Sequence, residues 1–366
     1  MPGRSRLRTL DIRKIGSVVR RLQIGSPVTV RDEVDARAGS VVAARILTDK
    51  ETYNTLEDAH GRLVRLHRGD LLVGALGVRS ALHGYAGEVP EAVGAGSRLA
   101  LLNLGGIMGE CRSWHPSVGP PFEVEILGQV MLFPHFGHRA GVPADLTLRA
   151  FTAEGDYPQA PVIYIVGSSM DSGKTTFACA LIRTLASQGL RVSGIKTTGV
   201  SLLRDTLAMQ DHGAGWTSDF TDAGFASTRS GTAVSAARRI FHELAHQTQD
   251  VIVVETGDGL LGEYGVREIL DDPALRALGA ATVFCAQDPV GAWGGVRLLS
   301  ERWGIRVALV SGPVTDNEVG RAFIRTHLGC PAINAFEDPA RVLEVVRLIL
   351  PALFEGRPGL SGAPHG

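Results

Sequence analysis

Four cysteines in 366 residues, Cys111, Cys179, Cys285 and Cys330, are too few and too scattered for a disulfide scaffold. No two of them form a C-x-x-C pair, so a zinc ribbon is excluded as well. They read as reduced, mostly buried thiols. No apolar run approaches the ~20 residues that span a bilayer, and the N-terminus lacks the apolar core of a secretory signal. The expectation is a cytoplasmic protein with no membrane partner. Neither sign of charge is in excess: 37 basic residues stand against 38 acidic ones, for a net charge of -1. That balance argues against a general nucleic-acid binder and leaves a local phosphate site open. Internal repeats and low-complexity tracts are missing too, except for the Gly/Pro-rich end, 356–366, which reads as a frayed tail.

The chain is longer than the ~250–300 residues at which a single core stops growing, so two domains are expected. Residues 1–22 carry Arg4, Arg6, Arg8, Arg13, Lys14, Arg20 and Arg21 around a single Asp11. A transit peptide or membrane-surface helix has this composition, but a short basic helix or arm packed on the body or on a second subunit is the preferred reading. Residues 23–150 consist of short β-branched or alternating runs cut by Gly, Asp and Pro. Such spacing predicts a small β-rich barrel or sandwich. Within it, Asn103 to Cys111 is read as a Gly-rich turn in preference to a ligand loop offering a thiolate. His115, His135 and His138 cluster near the domain junction. Pro134 and Gly137 make His135-x-x-His138 a loop, and no nearby carboxylate completes a metal site.

Residues 151–355 alternate strands with helices, which predicts a doubly wound, mostly parallel sheet with ligands at the strands' carboxyl ends. Strands are expected at Val162–Val166, Leu190–Ile195, Val251–Val254, Ala281–Cys285, Arg306–Val310 and Ala332–Ile333. The segment from Arg204 to Asp222 is too rich in Gly and Asp for a plain helix and reads as a substrate-facing loop or a solvated linker.

The first of those strands carries the strongest signal. Val162 to Val166 runs into Gly167, Ser168, Ser169, Met170, Asp171, Ser172 and Gly173, after which Lys174, Thr175 and Thr176 open an amphipathic helical pattern. Strand, phosphate loop and helix follow in the order a polyphosphate site requires. Glycines let backbone N–H groups crowd round the phosphates, the helix N-terminus adds partial positive charge, and Lys174 reaches the outer phosphates. Thr175 is the expected Mg²⁺ ligand. Gly167 and Gly173 stand one residue further apart than in the common G-x-x-x-x-G-K-[ST] pattern. The second strand ends in Lys196, Thr197 and Thr198, and the third closes on Glu255, a carboxylate at the end of an apolar run that needs a partner. Asp171 is a further acid aimed at the phosphates and calls for a cation nearby. The site read from these residues is thus Lys174, Lys196 and Glu255 for chemistry, with Mg²⁺ on Thr175, Glu255 and Asp171, serving ATP.

These segments resemble dethiobiotin synthetase. GSSMDSGKTT, IKTTG and VVETGDGLL look like that family's GTDTEVGKTT, KPVASG and VEGAGGLL, with Glu255, Gly257, Gly259 and Leu260 in matching places and the long loop spacing shared. Ser169 stands where the family has its loop Asp, and Thr197 where it has Pro. VALVSGPVTDNE is similar to the adenine-side strand and loop of the same superfamily, which implies nucleotide contacts at Ser311 and Pro313. The chain also resembles a domain-of-unknown-function family that includes D-glutamate N-acetyltransferases, where a segment like SDFVSGAAE matches Ser218–Ser227 here. The resemblance spans roughly residues 161–340 and implies an ATP- and Mg²⁺-dependent enzyme, ligase- or kinase-like, acting on a small carboxylate or amine. It also implies a homodimer. Two alternatives stand beside it: acyl transfer to an amino acid from acyl-coenzyme A, and a nucleotide-dependent switch or metallocentre chaperone. The last normally shows a Cys/His metal cluster or an N-K-x-D motif, and neither is visible in the sequence.

Overall fold

The computed structural model describes residues 7–134, 141–152 and 154–355. The chain divides into two units that are not contiguous in sequence. Met1–Phe151, Val200–Arg204 and Phe220–Thr228 form the first, and Thr152–Gly199, Asp205–Asp219 and Arg229–Gly366 form the second.

Among the described residues the first unit holds thirteen strands: β1 (Leu7–Leu10), β2 (Lys14–Ile15), β3 (Val28–Arg31), β4 (Val41–Ile46), β5 (Thr55–Glu57), β6 (Leu63–Arg65), β7 (Leu71–Leu76), β8 (Arg79–Ser80), β9 (Tyr85–Glu88), β10 (Arg98–Leu101), β11 (Ile107–Trp114), β12 (Phe122–Leu132) and β13 (Val142–Pro143). Five of them close a ring, because β12 pairs with β4, β4 with β7, β7 with β11, β11 with β10, and β10 with β12 again. A closed ring leaves no strand edge unpaired. Period-two alternation fills it: Val42, Ala44 and Ile46 share one buried cluster with Leu72, Leu76, Met108, Phe122 and Val124. The alternate residues Val41, Ala43, Val73 and Ala75 enter a second cluster outside the ring. Burial on both faces explains why β4 reads as a nearly unbroken apolar run.

That second cluster is closed by Ile12, Val18, Val19 and Leu22. Residues 7–22 are therefore strands β1 and β2 and a 3₁₀ turn at Ser17–Leu22, built into this unit. The basic-helix reading fails because the apolar positions recur for a strand and a tight turn, while Lys14 and Arg20 find Asp70 and Asp222 as partners. The Gly-rich stretch also divides differently from expectation: Gly105 and Gly106 turn, and Ile107 already begins β11. His135 and His138, like Arg4, Arg6 and 356–366, fall outside the described residues.

The second unit is an α/β layer around six parallel strands: β14 (Val162–Gly167), β15 (Val192–Thr198), β16 (Ala214–Asp219), β17 (Val251–Thr256), β18 (Gly279–Cys285) and β19 (Leu309–Ser311), in the order β16-β15-β17-β14-β18-β19. The helices are α1 (Lys174–Ser187), α2 (Arg204–Asp211), α3 (Ala233–Leu244), α4 (Val266–Asp271), α5 (Pro273–Ala277), α6 (Pro289–Trp303), α7 (Glu318–Leu328) and α8 (Pro339–Ile349). Phe177, Leu181 and Leu185 of α1, at helical spacing, pack on Ile163, Ile165, Val251 and Val253 of the central strands. Burying each such side chain is worth ~1.5–3 kcal/mol. The stretch expected as a loop between Arg204 and Asp222 is instead α2 followed by β16. Gly213, at a φ of +105°, makes the turn between them, and an edge strand paired on one side only tolerates the sequence AGWTSD. Ala332 contributes only an isolated bridge to Val310 in place of a last strand.

Candidate functional site

Central position fixes the site. β14 sits in mid-sheet, and its last residue, Gly167, hands the chain to a six-residue loop that delivers Lys174 as the first residue of α1. Gly173 adopts a φ of +87°, and a Cβ there would lie 3.1 Å from the Cα of Gly312. No side chain caps the start of α1. Its first-turn N–H groups and the positive end of its dipole are therefore left for an anion.

Lys174 is buried, and its Nζ donates to the Ser169 carbonyl at 2.7 Å and to Ser172 Oγ at 3.2 Å. Burial lowers its pKa, against the pull of Glu255, Cys285 and Asp258. One residue on, Thr175 Oγ1 donates to Glu255 Oε1 at 2.8 Å. Glu255, 2% exposed, thus joins the tip of β17 to the start of α1. Its other oxygen, Oε2, is buried without a hydrogen-bond partner. Lys196, at the end of β15, lies 3.3 Å from Glu255 Oε1 and ion-pairs with Asp205 of α2. Burial works against the Lys196 charge, yet Asp205 and Glu255 outweigh it and raise the pKa.

The other residues expected at the site are placed as follows. Ser168 N donates to the Cys285 carbonyl, and Gln287 Nε2 donates to the Met170 carbonyl, so β18 steadies the loop. Ser311 ends β19 and accepts from Ala286 N, and Pro313 follows beside Gly173. Thr176 faces solvent. Asp171, also exposed at a φ of +59°, is not joined to the Thr175–Glu255 pair by any hydrogen bond or ion pair.

Two residues at the site escaped the sequence reading. Asp205 is brought to Lys196 by α2, an element that the local composition concealed. Asp258, at a φ of +71°, has its pKa raised by burial, opposed by N–H bonds from Gly259 and Glu263 and by the Lys174 charge. The signal for it was the TGDG turn after the strand. Gly259 must stay small, since a Cβ there would sit 2.3 Å from the Ser168 carbonyl.

A divalent cation fits these residues. Two lysines against three carboxylates (Asp205, Glu255, Asp258) leave excess negative charge, and a buried carboxylate oxygen without a partner lies beside a threonine hydroxyl. One carboxylate and one hydroxyl match the way Mg²⁺ is held when phosphates and water supply the remaining ligands. Among the described residues there is no group of three or more His, Cys, Asp or Glu able to hold a metal without such help. His115 instead lies with its ring tilted against that of His83, centroids 5.0 Å apart, and accepts from Ser117 N. Among the described residues no helix is long and apolar enough to cross a membrane.

A parallel sheet whose central strand leads through a glycine-bounded loop into a helix opening Lys-Thr-Thr, with an acid ending the neighbouring strand, is a P-loop NTPase fold. No family model matches the chain, and no curated protein sequence matches it. Among solved structures it is similar to a DUF1611 family protein from Anabaena variabilis, at 15% identity and a TM-score of 0.39 over 58% of this chain and 65% of that one. Chloroplast FtsY from Physcomitrella patens follows at 15% identity and a TM-score of 0.36, over 51% and 62% of the two chains. The hydrogenase maturation factor HypB from Archaeoglobus fulgidus matches at 12% identity and a TM-score of 0.30, over 52% and 77%. The chain thus spans less than two thirds of the DUF1611 and FtsY chains it matches.

Proposed function

We propose that this protein is an enzyme that binds a nucleoside triphosphate with Mg²⁺ and uses it to activate a small carboxylate or amine, by phosphoryl transfer or by ligation through an acyl or carbamoyl phosphate. The observation that carries the reading is Glu255, with one oxygen on Thr175 and Lys196 and the other buried and unpartnered beside the uncapped start of α1. The backbone of 168–174 and Lys174 bind the phosphates. Mg²⁺, when bound, neutralises charge on the phosphate oxygens, and Thr175 and Glu255 hold it. Asp171, exposed at the loop's tip, reaches it only through water. Lys196, anchored by Asp205, places a second ammonium beside the charge that develops in transfer. The motif resemblance assigns the contacts to the base to Ser311 and Pro313. The motif resemblance to dethiobiotin synthetase supports ligation, and the small-molecule substrate remains part of the proposal.

The test is thermal unfolding with Mg²⁺ and ATP, GTP or acetyl-coenzyme A in turn. A ligand at one hundred times its Kd adds ~2.7 kcal/mol to folded stability. We expect a triphosphate to raise Tm only when Mg²⁺ is present, and Lys174→Ala to abolish the rise while leaving the apo Tm within a few degrees. Stabilisation by acetyl-coenzyme A alone would replace this reading with acyl transfer.

A further inference from the structure

We infer that the second unit carries a binding site for a small aromatic carboxylate, in a cleft at the amino ends of its strands. The cleft has a volume of about 460 Å³, inside the ~300–1,000 Å³ of most small-molecule sites. It follows from the sequence that joins α5 to β18, where Ala277, Gly279, Ala280 and Ala281 put little side chain into the space they line. β19 begins only at Leu309, and Ala308 N donates to the Thr282 carbonyl at 2.8 Å, so the first three residues of β18 run on past the start of β19. Tyr164 of β14 forms the inner wall. Its hydroxyl donates to the Leu275 carbonyl at 2.9 Å, and a Cβ on Gly279 would lie 2.9 Å from its ring. The inference stands apart from the nucleotide reading, because residues 279–282 line the cleft while Cys285, at the other end of β18, holds the phosphate loop through Ser168 N.

The groups that line the cleft select the ligand. Trp303, the last residue of α6, is half-buried there, with its Nε1 donating to Asp271 Oδ1 at 2.7 Å and the Arg302 guanidinium 5.1 Å from its ring centroid. The indole is therefore oriented before a ligand arrives and offers a flat apolar surface to a flat ring. Arg276 and Arg306 supply the charge, and no Asp or Glu is among the residues that line the cleft. Arg276 spends Nη1 on the Leu270 carbonyl, whereas Arg306, exposed, has no hydrogen bond or ion pair among the described residues. The nearby acids are committed elsewhere, Asp271 to Arg302 and Asp272 to Arg238. Two guanidinium forks without a carboxylate suit a bound one, which each can meet with two parallel hydrogen bonds. Because α5 and α6 end at the cleft and bring the negative ends of their dipoles, a singly charged carboxylate is favoured there over a phosphate.

The experiment titrates the full-length protein with benzoate, neutral benzamide, cyclohexanecarboxylate and phenyl phosphate, followed by ligand-observed NMR. Each titration is repeated on Lys174→Ala, which removes the phosphate loop as a competing anion site. Benzoate should saturate one site with the same affinity in both proteins. Benzamide should bind at least tenfold more weakly, the loss expected for one charge-assisted contact, and cyclohexanecarboxylate severalfold more weakly. Arg306→Gln should weaken benzoate about tenfold, and Ala280→Leu, which fills the cleft, should abolish its binding, both with Tm unchanged. Benzoate that does not saturate, or that binds both of these variants as it binds wild type, overturns the site. Equal affinity for cyclohexanecarboxylate overturns the flat-ring requirement, and tighter binding of phenyl phosphate to Lys174→Ala overturns the carboxylate. A protein that ignores every nucleotide yet binds benzoate in this pattern refutes the nucleotide reading and leaves the cleft assignment standing.

Discussion

Glu255 is the residue on which the site turns, and replacing it isolates its charge. Glu255→Gln preserves the shape of β17 and leaves Thr175 an acceptor, but removes the anionic oxygen offered to the cation. We expect the Mg²⁺ requirement to rise about tenfold, equivalent to ~1.4 kcal/mol, and turnover to fall more than nucleotide affinity. Titrating Mg²⁺ against both proteins checks this, and identical curves would remove Glu255 from the site. Gly259 makes a second test. Gly259→Ala puts a methyl group 2.3 Å from the Ser168 carbonyl, so the loop or the turn after β17 must move. Overpacking of this kind costs about 1–3 kcal/mol, and we expect nucleotide-dependent stabilisation to be lost before the fold is. Retained binding in a crystallised Gly259→Ala protein would show the loop to be more tolerant than this contact allows. Lys174, Thr175 and Glu255 were legible in the sequence because their order along strand, loop and helix carries the chemistry by itself. Asp205 was not, since nothing local says that a residue nine positions after Lys196 returns to it.

Among the elements, the sheet was legible and the short connections were not. β14, β15, β17 and β18 announce themselves as apolar, β-branched runs because both of their faces are buried. α2 and β16 are short and polar and lie at the sheet's edge, so composition pointed to a loop. β11 was hidden by Gly109 and by the solvent-facing half that ends in Trp114. Two buried thiols of the second unit have a consequence at alkaline pH. Cys179 on α1 and Cys285 on β18 are both buried, and burial pushes each thiol up to about 12. In the unfolded chain the same thiols ionise near ~8.5. Between these values the unfolded state binds fewer protons than the folded one, so stability is full below ~8.5 and falls as pH rises towards about 12. Cys285→Ala should lower Tm at pH 7 by leaving a small void and give a shallower decline of Tm with alkaline pH than wild type. Parallel slopes for the two proteins would show that the buried thiol does not titrate on unfolding.

For the whole molecule, the exposed apolar residues are informative by their location. Leu261, Val290 and Val319 are exposed, and each lies in the stretch that follows β17, β18 or β19, no further than the start of the next helix. Apolar groups around the mouth of a nucleotide site suit a surface that a second copy covers, and on that ground we propose a homodimer. Light scattering should give a mass near twice 38.8 kDa, and Val290→Asp with Val319→Asp should halve it. A wild-type monomer with full nucleotide response would remove the dimer from the proposal. The closed ring of the strand-rich unit was anticipated only as a barrel or sandwich, because strand pairing between sequence-distant runs such as β7 and β11 leaves no trace in either run alone.

The division of the chain into interleaved units also sets an order on its synthesis. Ala226 is part of the buried cluster outside the β-ring, and Val200 packs against it, with a bridge between Val200 and Ser227. A nascent chain folds N-terminal part first, at ~5–20 residues per second. Yet this N-terminal unit stays unfinished after its last strand has been made: it waits for residues that arrive only once the phosphate loop, α1, β15 and β16 have already been translated. During that interval its apolar surface is open to the ribosome's surroundings, which makes the stretch between 151 and 228 the window in which the growing chain most needs a chaperone.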